Sequence, residues 1–94
     1  MGEEKVELGH VVITKEISEK VATDEEFANF VADSLRRHSN GDWGDVDEED
    51  RRGNELSLKE GLRIFSAYNY QGKKIWIVTE ADKLTTTVSF LEEY

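Results

Sequence analysis

Six carboxylates crowd into nine positions of the stretch HSNGDWGDVDEEDRRGNE, residues 38–55: Asp42, Asp45, Asp47, Glu48, Glu49 and Asp50. Acids at that density can ligate a divalent cation, serve as proton donors and acceptors, or charge the start of a helix. A calcium loop needs oxygen ligands at alternating positions, a glycine at the sixth and a glutamate at the twelfth. Counted from Asp45, the third and fifth places hold Asp47 and Glu49, but the sixth is Asp50 and the twelfth Leu56. The pattern fails there. A turn feeding a helix accounts for the acids, the glycines and their order. Gly41 and Gly44 bend the chain on either side of Trp43, Asp45 or Asp47 caps the helix, and the following acids favour its positive end.

Other chemistry is thinly provided for. His10 and His38 lie 28 residues apart, without zinc-type spacing. A histidine at a helix end is expected near the last carbonyls. There is no cysteine, which removes disulfides, thiolate metal sites and thiol nucleophiles. Ser66, Thr85, Thr86 and Thr87 offer hydroxyls outside any nucleophile-elbow context, and no phosphate-binding glycine loop occurs. No catalytic, cofactor-binding or metal-ligating residue is assigned, and no cofactor is expected. An enzyme built on this chain, with or without a divalent ion, would have to bring Asp42, Asp45, Glu80 or Asp82 together with His38 in one cleft.

These residues need elements to hold them. Residues 1–8 are polar and expected to fray. Val11–Ile13 read as a short strand, and residues 15–22 are ambiguous. Thr23-Asp-Glu-Glu26 fits a capping box, and Phe27, Phe30, Val31 and Leu35 follow at helical spacing, which predicts a helix over 24–38. A second helix is expected over roughly 46–60, broken or kinked near Gly53 and ended by Gly61. LRIFSAYNY and KKIWIVTE flank Gln71-Gly72, a hairpin signal. Its register sets Tyr70 against Lys73, Ala67 against Trp76, Phe65 against Val78 and Arg63 against Glu80. Phe65 and Trp76 are then expected in the core. A third strand follows over 85–91. The order β-α-α-β-β-β predicts one α+β domain over 1–94: a small antiparallel sheet, the meander 62–91 plus the N-terminal strand, packed on two helices.

With 94 residues, 37% of them apolar and nine aromatic, the chain can bury a modest core. The net charge is −9. Residues 1–26 and 40–60 each hold eight acids against three bases, a net −5 apiece. Such a surface repels phosphate backbones, so no direct nucleic-acid binding is expected. There is no signal-like apolar run and no stretch of about 18 apolar residues, so a cytoplasmic protein with no membrane contact is expected.

GDWGDVDEEDRRGNE followed by LRIFSAYNYQGKKIWIVTEADKLTTTVSFLEEY resembles a family of small bacterial proteins of plasmids and other mobile elements. The resemblance covers nearly the whole chain. It rests on His38, Gly41, Asp42, Trp43, Gly44, Asp45, Glu49, Asp50, Asn54, Ser66, Tyr68, Trp76, Thr79, Glu80, Asp82, Thr86 and Tyr94. Lys83 stands where the family has arginine, and Leu91 where it often has proline. Some members are labelled as type I restriction–modification subunits. A DNA methyltransferase needs a cofactor domain and a proline-containing catalytic motif, and this chain has no proline.

The resemblance, the acidity and the lack of a catalytic constellation together point to a non-enzymatic interaction module. Its partner would be a protein, and the chain itself a monomer or weak homodimer. Its binding surface would be the exposed sheet face or the Trp43 turn, with Trp43, Asp42, Asp45, Asp47, Glu48, Glu49, Asp50, Tyr68, Glu80 and Asp82 as candidate residues. An alternative is an acidic DNA mimic that occupies the groove of a restriction or CRISPR nuclease.

Overall fold

The fold was analysed in a computed structural model, which describes residues 5–93. Seven elements follow one another: β1 (His10–Ile13), α1 (Lys15–Thr23), α2 (Glu25–Ser39), α3 (Glu48–Glu60), β2 (Ile64–Tyr70), β3 (Lys73–Thr79) and β4 (Thr85–Phe90), with a 3-10 turn over Leu91–Glu93. The class is α+β, as expected. The ambiguous residues 15–22 form a helix, capped by Thr14, whose hydroxyl accepts the amide of Ile17. That gives three helices rather than two. Thr23 ends α1, and its hydroxyl turns back to the carbonyls of Glu19 and Lys20. The cap of α2 is therefore Asp24, which accepts the amide of Phe27. Asp24 can do this because its extended backbone (φ −139°, ψ 101°) lets one residue close α1 and open α2.

The third helix starts two residues later than predicted, at Glu48, with Asp47 as its cap. It ends at Gly61 in the left-handed region (φ 72°), as expected. It runs unbroken through Gly53, contrary to expectation. A glycine costs a helix about 1 kcal/mol, which the flanking turns, Asp47 cap and Gly61 terminus outweigh.

The sheet order is β1-β4-β3-β2. The hairpin pairs Tyr70 with Lys73, Ala67 with Trp76 and Phe65 with Val78, as the two-residue turn requires. Arg63 and Glu80 lie just beyond the last ladder pair, Ile64 with Thr79. The meander is antiparallel, but β1 runs parallel to β4, Val11 beside Thr86 and Ile13 beside Val88, so the sheet is mixed. With α1 and α2 following β1, the chain returns to β4 only after two further strands.

Alternation gives the sheet two unlike faces. Tyr68, Ile75, Ile77, Val88 and Phe90 point one way and pack on Ile17, Phe27 and Val31 of α1 and α2. Phe27 lies against the rings of Phe90 and Tyr70 at 5.8 and 5.2 Å. A second cluster of Val6, Trp43 and Ile64, flanked by Val46 and Leu58, fills the end of the sheet near α3. Phe65 and Trp76 point the other way. They were expected in the core, but they are half-buried on the face that carries no helix. The register was right. What it could not show was which face the helices cover.

Fraying does not extend over residues 5–8. The amides of Lys5 and Val6 donate to the Ser39 carbonyl, and Val6 is fully buried. Residues 1–4 lie outside the described residues.

Two glycines give opposite expectations. A Cβ at Gly44 would stand 2.1 Å from the Ala67 carbonyl oxygen, at φ +73°. A Cβ at Gly53 would meet nothing within 4 Å. Gly44→Ala should destabilise by about 3 kcal/mol or more, since backbone cannot move aside cheaply. Gly53→Ala should stabilise by about 0.5–1 kcal/mol. Urea melts of the two variants check this, and like effects from both would refute it.

Candidate functional site

The opening acidic stretch is built into the edge of the sheet. Gly44 bridges Ala67 in parallel sense. The Ala67 amide donates to the Trp43 carbonyl at 3.1 Å, and the Asp45 amide donates to the Ala67 carbonyl at 2.7 Å. Trp43 is turned inward, 3% exposed, and its indole N–H donates to Glu55 on α3 at 3.2 Å. The Tyr68 hydroxyl donates to the Asp42 carbonyl at 2.6 Å. Burial pushes that phenol up to about 12, so it remains a donor. Arg37 lies 4.8 Å over the Tyr68 ring and holds the Asp42 carboxylate through two nitrogens, at 2.7 and 3.3 Å. The guanidinium keeps the Asp42 carboxyl below its ordinary range.

Trp43 and Tyr68 therefore cannot belong to an interaction surface as the sequence suggested. Both are buried anchors. The acids around them do stand at the surface, yet several have internal tasks. Asp42 pairs with Arg37, Asp47 caps α3, and Glu48 faces Arg51 and Arg52 at 4.0 and 3.6 Å. Glu80 and Asp82 sit in the β3–β4 turn, where Asp82 accepts the Leu84 amide. The turn at Asp42–Asp45 lies instead beside the middle of β2.

His38 is not at the helix-end carbonyls. It is fully buried beneath the sheet, 6.0 Å from the Trp43 ring. Its Nδ1 is 2.5 Å from the Ser66 hydroxyl and its Nε2 2.9 Å from that of Thr79. Thr79 meets Thr86 at 2.8 Å, and Thr86 donates to the Leu8 carbonyl at 2.6 Å. That last acceptor sets the direction of the whole chain. Thr86 must donate to Leu8, so Thr79 donates to Thr86, His38 donates from Nε2 to Thr79, and Ser66 donates to Nδ1. The imidazole is thus neutral and of one tautomer, and burial lowers its pKa to about 4.

A serine on an imidazole has the form of a nucleophile and its base. Here Ser66 and His38 are both 0% exposed, and the second nitrogen meets a threonine rather than a carboxylate. No substrate reaches the pair. Asp42, Asp45, Glu80 and Asp82 do not hydrogen-bond the His38 ring, whose two nitrogens are taken. Among the described residues, no three histidine or acidic side chains are grouped to hold a metal. The convergence that the enzyme reading requires is not formed. One signal could have located His38: Phe27, Val31, Ser34 and His38 follow the helical period and are all buried.

The helix-free face holds a different arrangement. Phe65 and Trp76 lie with ring centres 5.0 Å apart, and with Arg63 and Val78 they line a cleft of about 190 Å³. Sequence reading offers an exposed sheet face as one candidate surface but assigns both of these rings to the core. Among the described residues, no helix is long and apolar enough to cross a membrane. No protein-family model, curated protein or solved structure matches the chain.

The buried imidazole makes stability depend on pH. Above pH 6.5, His38 is neutral both folded and unfolded. As pH falls from 6.5 toward 4, the unfolded chain takes up a proton that the folded one refuses, so stability falls through that window. The expected loss is about 3 kcal/mol. It should be absent from His38→Gln, which starts less stable but varies less between pH 7 and 4. Urea titrations of both proteins at several pH values check this, and parallel pH curves would refute it.

Proposed function

We propose that the chain is a small non-enzymatic interaction module that receives an apolar side chain of a protein partner in the Phe65–Trp76 cleft. The observation that carries this is the pair of half-buried rings at 5.0 Å on the one sheet face without helices. Large aromatic groups left partly open on a rigid sheet are the usual anchors of binding hot spots. The cleft, about 190 Å³, falls below the roughly 300–1,000 Å³ of cofactor and small-molecule pockets. It fits one inserted side chain. Arg63 also lines the cleft. A role in a mobile element rests on the resemblance described above, and a cytoplasmic setting goes with it.

The acidic-decoy reading draws less support. It asks for carboxylates spaced along one surface for a partner to read. Asp42, Asp47 and Glu48 are instead engaged within the chain, by Arg37, the α3 amides and two arginines.

A pull-down from host lysate with the full chain tests the proposal. Trp76→Arg should weaken capture of the partner by roughly thirtyfold, the size of a hot-spot loss of about 2 kcal/mol. Leu56→Arg, at a position 54% exposed on α3, should leave capture unchanged. Circular dichroism establishes that both variants fold. A partner held equally by Trp76→Arg, or no reproducible partner at all, would refute the reading.

A further inference from the structure

We propose that the chain pairs with a second copy of itself through the outer edge of β1. The two edges of the sheet are treated differently. At the β2 edge, the outward amide and carbonyl of Phe65 are met by the Asn54 side chain, at 3.2 and 2.6 Å, and those of Ala67 by the Trp43–Asp45 turn. At the β1 edge no described residue does the same. The amides of His10 and Thr14 donate inward, to Leu84 and Val88 of the β4 side. A strand has period two, so the N–H and C=O groups of Val11 and Ile13 point outward. No described residue pairs with them.

Natural sheets blunt such an edge with lysine, proline, a bulge or a covering loop. β1 carries none of these among the described residues. Its side chains are open along the whole strand, with Val11, Val12 and Ile13 at 39%, 41% and 37% exposure.

The edge complements itself. A two-fold axis at Val12 sets Val11 of one copy opposite Ile13 of the other in antiparallel sense. All four outward amides then meet all four outward carbonyls, and the two Val12 side chains touch at the axis. Gly9, at φ +64°, and Thr14, the α1 cap, bound the edge. A longer foreign strand would find no further ladder groups, whereas a second copy matches the whole of it. Charge agrees with this site of approach. Leu8–Thr14 holds no charged residue in a chain of net −9, so the two approaching strands bring no like charges of their own together. Such a short edge buries far less than the roughly 1,600 Å² of a standard interface, so dimer and monomer exchange, and salt favours the dimer by screening the −9 charges. The edge is separate from the Phe65–Trp76 cleft, and its test does not depend on that reading.

Analytical ultracentrifugation of the full chain decides the matter. Between about 10 μM and about 1 mM, the average mass should climb from 10.8 kDa toward twice that value, and further at about 0.5 M salt than at about 0.05 M. Val11→Pro removes one outward N–H per copy and leaves the β4 ladder intact. Val12→Lys places two ammonium groups at the axis. Both variants should remain monomeric. In the unmodified chain, hydrogen exchange at Val11 and Ile13 should slow as concentration rises. A mass of 10.8 kDa throughout, a dimer that survives both substitutions, or exchange at these amides independent of concentration would each overturn the proposal.

Discussion

The outer edge of β2 has to be closed, and much of the structure follows from how that is done. A buried amide or carbonyl left without a partner costs about 1–3 kcal/mol. Phe65 and Ala67 each present one of both. Asn54 supplies a side-chain amide that copies a strand's donor and acceptor. Two residues further along, backbone itself arrives, in the parallel bridge at Gly44. Only glycine lets that backbone come so close, because any Cβ would overlap the Ala67 carbonyl. In the bridged turn, Trp43 goes inward and joins Val6 and Ile64, while Asp45 stays exposed. The acids that follow then begin α3, and Asn54 comes back to the edge one residue after Gly53. The turn and the helix that follows it are thus two parts of a single closure.

A second constraint runs beneath the sheet. Ser66, His38, Thr79 and Thr86 form one directed chain that ends on the Leu8 carbonyl and joins β2, α2, β3, β4 and the N-terminal segment. Four polar side chains in a small core would be costly without partners. Here each donor has an acceptor, so the polarity becomes specificity. The network admits one register of β2, β3 and β4, and one rotation of α2 about its axis. An apolar core of equal volume would tolerate a helix turned by some degrees, but this one would leave a donor stranded.

What could be read from the sequence is what is local. The Gln71-Gly72 turn set the hairpin register, and the Asp47 cap and Gly61 terminus placed α3, because each signal acts within a few residues. What could not be read is what depends on distant partners. β1 is parallel because its neighbour is β4, some seventy residues away. Phe65 and Trp76 were misplaced because alternation shows that two faces exist, and only the packing of α1 and α2 shows which is covered. His38 was misread for a related reason. Its ring partners lie 28 and 41 residues on, although its helical phase with Phe27 and Val31 already pointed inward.

Those observations also bear on what a polar sequence pattern means. His38, Asp42, Gly44, Asn54, Ser66, Tyr68, Thr79 and Thr86 are residues that by type would suit a site. Each is fixed instead by a donor, an acceptor or a close approach inside the scaffold. Substituting any of them strands a partner or, at Gly44, forces a clash with the Ala67 carbonyl. Trp76 is different. It stands half-buried beside Phe65 on the sheet face opposite α1 and α2. Part of the ring covers Ala67 and Ser89, its buried pairs on β2 and β4, and the rest stays partly exposed. A large ring that is only partly covered is a feature that folding by itself leaves partly unexplained. The proposed contact surface therefore lies with these rings rather than with the acids that first draw attention.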